Sequence, residues 1–290
     1  MWFDPTEHEA WIRATALAAT DAQLPAETRA ALARLPPPPP AAVVVAPDTS
    51  QPFLQVAPKD TEFQFKYLIC VLGLPVEIDP PPLHHHPWAT WTLAGLVTIV
   101  SLLAAAMDAQ TVLPWAFVPA EMWRHGGLTL VTSFFLHGGL WHLVSNMYFL
   151  VVLGDNVEDL LGWPRYLALL LAGTVTGNLC HAAVNPMSHV PAVGASGGIA
   201  AVILFYGLQF PQGRLKMAVP SLLFFSLSVW AALLLWVIAQ LIGTIAQAKL
   251  GTEVAYAAHV GGALAGLLFW SLYGLGENRR ALTREVAGGR

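Results

Sequence analysis

The sequence predicts an all-α membrane protein, a bundle of six transmembrane helices with a small N-terminal cytosolic segment. Three observations carry that prediction. Hydrophobic residues make up 56% of the 290 positions and charged residues only 11%, whereas soluble domains carry roughly 25% charged residues. From Trp88 onward, apolar runs long enough to cross a ~30 Å hydrocarbon core recur six times. Charge is also segregated: residues 1–86 hold ten of the eighteen acidic and five of the fourteen basic side chains, 87–276 is nearly free of charge, and 277–290 is basic. The expected organisation is an N-terminal cytosolic segment with Pro-rich linkers (1–86), a six-helix core (87–276) and a basic cytosolic tail (277–290). The net charge of −4 gives no reason to expect nucleic acid as a partner; the lipid bilayer is the expected surrounding.

Residues 1–34 read as polar-amphipathic helix, with Pro25 and Glu27 in a first turn. "PPPPPAA" from Pro36 is a stiff extended spacer. "AAVVVAPDTSQPFLQVAP" and "EFQFKYLICVLGLPVEI" alternate β-branched and aromatic residues, as a small cytosolic subdomain or a hairpin against the membrane would. "PPPLHHHP" is a second proline-fenced linker; adjacent histidines between prolines rarely converge on one ion, so no metal is expected at His84, His85 and His86. The start of the chain has no basic region followed by an apolar stretch, so no signal peptide is expected and the first span serves as its own insertion signal. Cys70 and Cys180 are expected as two buried free thiols.

The spans are expected at about 88–107 (opened by interfacial Trp88 and Trp91), 139–156, 164–184, 195–211, 217–243 and 256–274. Lysine and arginine in the short flanks set the orientation. With the N-terminus cytosolic, that side carries Arg165, Arg214, Lys216, Arg279, Arg280 and Arg284, and the other side Arg124 and Lys249. Six against two predicts both termini in the cytosol, with the plasma (inner) membrane as the location.

Polar groups inside spans are costly, and each is a functional hypothesis. His142 and Asn146 are four apart and share a helix face. His259 is followed by Gly262 and Gly266 along its own face, and Ser196 is flanked by Gly194, Gly197 and Gly198. Two helix faces without bulk can approach to backbone contact, which would bring Ser196 Oγ to His259 as nucleophile and base. A serine in Gly-x-Ser-Gly, taken singly, is more often a helix-packing residue. The weight lies in Ser196, His259, His142 and Asn146 all falling near the same, outer side of separate spans.

These motifs resemble those of the rhomboid intramembrane serine proteases, over roughly 88–274. "EMWRHGG" is similar to the Trp-Arg signature of the family's long first loop, "HGGLWHLVSN" to its His-x4-His-x3-Asn pattern, and "GDNVEDLLG" to Gly-x3-Glu-x3-Gly. "GASGG" matches Gly-x-Ser-Gly, and "AHVGGALAG" matches Ala-His-x2-Gly-x3-Gly. The resemblance implies a serine endopeptidase that cleaves transmembrane helices of membrane-protein substrates through an acyl-enzyme, without cofactor or metal. It implies Ser196 as nucleophile, His259 as base, and His142, Asn146 and the Ser196 backbone as oxyanion hole. Supporting roles fall to His137, which orders the first loop, and to Gly194, Gly197, Gly262 and Gly266. Trp123 and Arg124 would seat that loop in the outer leaflet, and Glu158 would tie cytosolic helix ends. One position departs: the aromatic that the family usually places four residues after the serine is here Ala200, so Tyr256 or another residue must hold the His259 ring. The competing reading is a weak or inactive rhomboid-like protein that binds transmembrane segments. A proton-coupled transporter would need mid-membrane carboxylates, and spans one, four, five and six have none.

Overall fold

Trp88–Ala105 forms the first long helix, α1, and its burial pattern shows what surrounds it. Only Thr90, Ala94, Val97 and Ser101 are buried. Spaced three or four apart, they make one stripe, and the rest of the helix leaves Leu96, Ile99, Leu102 and Leu103 exposed, an apolar surface suited to lipid. The computed structural model describes residues 55–56, 69–70, 72, 74–78, 80–219, 223–250 and 254–288, with backbone alone over 277–288. The expected N-terminal helices and first proline spacer lie outside the described residues.

Five further helices follow: α2 (Leu140–Leu161), α3 (Trp163–Val184), α4 (Ser196–Gln209), α5 (Val229–Leu250) and α6 (Tyr256–Gly288). Among the described residues, α1, α3, α5 and the Tyr256–Gly276 part of α6 are each long and apolar enough to cross a membrane. A fifth crossing results if Thr129–Phe135 and α2, bent by 97° at their junction, are one span. The protein is thus a mostly helical, multi-pass membrane protein with four to five such spans. The helix that falls short is α4: its 14 residues cover about 21 Å, against ~30 Å of hydrocarbon.

The chain is not all-α, and the fifth span is not where hydropathy places it. Residues 214–219 and 223–228 form an antiparallel hairpin, β3 and β4, and α5 starts only at Val229. The stretch "LFFSLS" is apolar enough to read as membrane helix, yet its aromatic and alternating pattern suits a strand, and it finds a partner in register from Arg214↔Ser228 to Val219↔Leu223. Two short strands from the N-terminal segment, β1 (Gln55–Val56) and β2 (Val76–Ile78), complete a four-stranded sheet in the order β1-β4-β3-β2. Of the β-pattern expected between residues 41 and 78, these two pieces fall within the described residues, and hydrogen bonds cross the expected boundary at residue 86. The Tyr148 hydroxyl of α2 donates to the Pro75 carbonyl at 2.6 Å, and the Cys70 thiol meets the Lys216 carbonyl at 3.4 Å. Both cysteines are free, but only Cys70 is buried; Cys180 is half-buried.

Glu77 in β2 receives the Tyr206 hydroxyl from the inner part of α4. Burial raises its carboxyl to about 7, the Tyr206 bond pulls the other way, and nearby Asp155 adds to the rise. A carboxyl raised on folding contributes stability below its unfolded range, and that contribution is lost as pH climbs. Docking of β2 should therefore be tightest below about 4.5 and weaken up to about 7. Glu77→Gln should flatten this dependence and protect the β2–β3 amides better than wild type at pH 8, as read by hydrogen exchange; equal pH dependence in both proteins would refute the assignment.

Where the start of α1 meets the end of α2, the Glu158 carboxylate accepts from Ala89 N at 2.9 Å, Thr90 N at 2.7 Å and Thr90 Oγ1 at 2.8 Å. It caps α1, whose first N–H groups have no helical partner. The histidines of the second proline linker sit beside it: His84 and His85 place their backbone N–H and ring Nδ1 on the two oxygens of Asp159, at 2.7 to 3.0 Å.

The centre of the bundle is α3, α4 and α6, joined through glycine. A Cβ on Gly262 of α6 would lie 1.9 Å from the Gly197 carbonyl oxygen of α4, and one on Gly266 would lie 2.4 Å from that of Ala201. On α3, Gly173 admits α4 in the same way, and Gly177 admits the start of α6, where a Cβ would lie 2.7 Å from the Ala258 carbonyl oxygen and 3.3 Å from Gly197 Cα. Backbones this close exclude any side chain, which is how helices without a hydrophobic drive between them gain packing energy in lipid.

Candidate active site

Ser196 opens α4, so its backbone N–H is among the first, unpaired ones of a 14-residue helix. The chain reaches it through Gly194 at φ +129°, a region that side chains avoid. There is also no room for one: a Cβ at Gly194 would be 2.8 Å from His142 Nε2 and 3.8 Å from Ser196 Oγ. Gly194 N donates to the Ser133 carbonyl at 2.9 Å, anchoring the turn to the loop before α2. Because Gly177 of α3 packs on Gly197, Ser196 sits level with a point roughly two turns below the end of α3. The short α4 thus starts its serine below the rim of the bundle.

His259, on the first turn of α6, brings Nε2 to 2.9 Å from Ser196 Oγ. The contact at Gly262, one turn later, sets this distance by holding α6 against α4. Its Nδ1 lies 2.8 Å from the Gln240 amide oxygen of α5. The Tyr256 ring stands edge-on to the imidazole with centroids 6.2 Å apart, so the aromatic partner sought in place of Ala200 comes from one turn earlier on the same helix. Ala200 itself is buried, and its Cβ would be 3.1 Å from a Cβ on Gly262; that space has been taken by helix contact.

His142 and Asn146 project from the first two turns of α2 into the same place. A cavity of about 890 Å³ is lined by His142, Asn146, His181, Ser196 and His259 together with the loop Val190–Val193. Asn146 is buried and donates one N–H to the His142 carbonyl at 2.8 Å, which orients the amide. His137 stays behind this wall: its Nδ1 lies 2.8 Å from Ser101 Oγ on α1, which in turn bonds the Phe135 carbonyl, and its ring meets that of His142 edge-on at 5.0 Å. The cavity lining holds no carboxylate among the described residues.

The long first loop is built on itself. Arg124 donates to Glu121 at 3.0 Å and to the carbonyls of Leu113 and Ala116 at 3.1 and 2.6 Å. Trp123 is 71% exposed, as a residue facing lipid would be. Asn178 of α3 holds the loop down through the Leu130 carbonyl at 2.9 Å and Ser133 Oγ at 3.0 Å.

Sequence reasoning missed two residues here. Gln240 and Gln247 are both buried on α5, two turns apart. Gln247 accepts from Ala257 N at 3.0 Å and its Nε2 faces His181 Nδ1 at 2.9 Å. The available signal was two amides seven apart in "WVIAQLIGTIAQAKL", an otherwise apolar run.

Membrane-length helices around a serine–histidine pair define the class: a multi-pass membrane protein with the makings of a hydrolytic centre. The Rhomboid domain family matches residues 119–275, more than half of the chain, and the chain belongs to the rhomboid family. Among its relatives, the human Presenilin-associated rhomboid-like protein, mitochondrial, is 30% identical over 160 residues, covering 53% of this chain and 41% of that protein. Rhomboid protein 1, mitochondrial, of Saccharomyces cerevisiae is 26% identical over 169 residues, covering 56% and 46% respectively. Rhomboid protease GlpG of Pectobacterium atrosepticum is 28% identical over 191 residues, covering 63% of each chain. The chain thus spans about two fifths of the length of the mammalian relatives it matches. Relatives named as mitochondrial give the expected plasma-membrane location no support; the finding that stands is an integral, multi-pass membrane protein.

Proposed function

We propose that this chain is an intramembrane serine endopeptidase that cleaves transmembrane helices of membrane proteins. The observation that carries the reading is the 2.9 Å approach of His259 Nε2 to Ser196 Oγ at the base of the cavity. In the proposed reaction, His259 Nε2 takes the Ser196 proton as Oγ attacks the peptide carbonyl. The carbonyl oxygen becomes an oxyanion, held by the Ser196 N–H at the α4 N-terminus, the Asn146 amide and His142. The imidazolium returns its proton to the leaving nitrogen, the C–N bond breaks, and an acyl-enzyme remains on Oγ. Water from the cavity then gives a proton to His259 and its oxygen to the acyl carbon, and Oγ leaves with that proton.

Substrate would come from the flank between α2 and α5. Phe149, Ile203 and Trp236 line both the cavity and an adjoining apolar groove of about 160 Å³, a surface suited to an apolar helix rather than a soluble peptide. In this reading both termini lie in the cytosol or its equivalent compartment, residues 1–86 are an N-terminal segment with Pro-rich linkers, 87–276 a six-helix core, and residues 277–290 a basic tail. Trp123 and Arg124 seat the first loop in the outer leaflet.

The test is cleavage of a panel of reporter transmembrane segments in liposomes, with fluorophosphonate labelling of the purified protein. No labelling and no cleavage in wild type would reject the reading in favour of a protein that only binds such segments. Asn146→Ala should lower kcat by about 10²- to 10³-fold with little change in KM, as loss of one oxyanion donor does; a loss confined to KM would remove Asn146 from the oxyanion hole.

A further inference from the structure

The serine–histidine pair leaves open how the imidazole is kept facing the serine. A neutral histidine carries one proton on two nitrogens, and the base is competent only if Nε2 is the bare one. The chain lacks the ring that would stack on this imidazole from α4, having Ala200 instead. What stands at the other nitrogen is an amide oxygen, 2.8 Å from Nδ1. An amide oxygen only accepts, so the proton lies on Nδ1 and the lone pair of Nε2 points at Ser196 Oγ.

Building on the protease reading above, we propose that Gln240 is the positioning residue of the dyad, holding His259 in its Nδ1-protonated form and aiming Nε2 at Ser196. Three features favour this over a mere helix contact. Gln240 is buried, in a helix long and apolar enough to cross a membrane, where an amide is costly unless it is paired. The same face of α5 continues to template the start of α6. One turn on, Gly243 gives way to the Tyr256 ring, which a Cβ there would meet at 2.4 Å. Two turns on, Gln247 takes the Ala257 N–H at 3.0 Å and faces His181 at 2.9 Å. The stripe Gln240–Gly243–Gln247 therefore sets the ring, its edge-on aromatic neighbour and the backbone entering the turn.

The acceptor is neutral, so it orients the base without adding charge. The titratable groups lining the same cavity are His142 and His181. Gln240→Leu keeps the volume and removes the acceptor. Gln240→Glu keeps an oxygen acceptor and, when ionised, favours the imidazolium.

The experiment measures reporter cleavage in liposomes across pH, together with ¹⁵N NMR of labelled histidine, on wild type, Gln240→Leu and Gln240→Glu. Gln240→Leu should lower kcat by about tenfold or more with KM within about twofold, since correct protonation of a general base is worth on the order of 10²–10⁴. Its His259 signals should move from the Nδ1–H pattern to a mixture of tautomers. Gln240→Glu should restore at least part of kcat and move the acid limb of kcat/KM. The proposal is overturned if Gln240→Leu retains kcat and tautomer, or if it loses kcat with the tautomer intact, which marks a structural role only. If wild type neither labels nor cleaves, the protease reading fails, while the NMR comparison still reports whether Gln240 sets the tautomer.

Discussion

Ser196→Ala protein is expected to show no fluorophosphonate labelling and no cleavage of any reporter segment, while folding and Tm stay close to wild type. The folding half of that expectation follows from the surroundings. Ser196 is the first residue of α4, and among the described residues its Oγ meets His259 Nε2 across the cavity at 2.9 Å. An alanine there removes one hydrogen bond, worth about 1 kcal/mol net. The chemical half follows because, among the described residues, the hydroxyl bonded to the imidazole is that of Ser196: in a nucleophile–base pair, loss of the nucleophile removes the covalent route altogether. Labelling that persists in Ser196→Ala would place the reactive group elsewhere and overturn the assignment of the pair.

The second large effect is expected at a residue that touches no substrate. Gly262→Ala would drive its Cβ to 1.9 Å from the Gly197 carbonyl oxygen. That atom is backbone and cannot rotate away, so α4 and α6 must separate by an ångström or more. His259 lies one turn before Gly262, and Ser196 directly precedes Gly197, so separation acts on the 2.9 Å bond itself. A misplacement of ~1 Å in a reacting pair can cost about 10²-fold in rate, and overpacking of this kind costs roughly 1–3 kcal/mol in stability. Activity should therefore fall by about 10²-fold or more, with a lowered Tm in detergent. Gly274→Ala is the control: the same substitution on the same helix, where a Cβ meets nothing within 4 Å, should leave both quantities unchanged. Wild-type activity in Gly262→Ala would refute the backbone contact.

The helices that sequence reasoning located well are those whose boundaries lipid dictates. Trp88–Ala105 and Trp163–Val184 fall within a residue or two of the expected 88–107 and 164–184, because a predominantly apolar segment is stable in lipid only as a helix with its backbone bonds closed internally. The expectation failed at 217–219 and 223–228. Hydropathy counts how much a stretch avoids water and not which partner satisfies its backbone, and here β1 and β3 supply a ladder on the two sides of 223–228. The same blindness hid the role of residues 76–78, a strand whose pairing partners lie far along the chain. Ser196, His259, His142 and Asn146 were legible because polar groups in apolar runs stand out; Gln240 and Gln247 stand out equally, but nothing local says which histidine an amide will meet.

By itself, then, the sequence determined most of the segments that belong in a bilayer, which glycine-lined faces could meet, and which polar side chains stand out from the apolar runs around them. These follow from one-dimensional facts: length, apolarity and spacing along a helix. Only the tertiary structure decided that α4 stops short and leaves Ser196 below the rim, that a β-sheet underlies the bundle, and that an amide from α5 reaches Nδ1 of His259. Those outcomes depend on which distant backbones and polar atoms come within 3 Å of each other, a distance set by packing in three dimensions and not by any pattern along the chain.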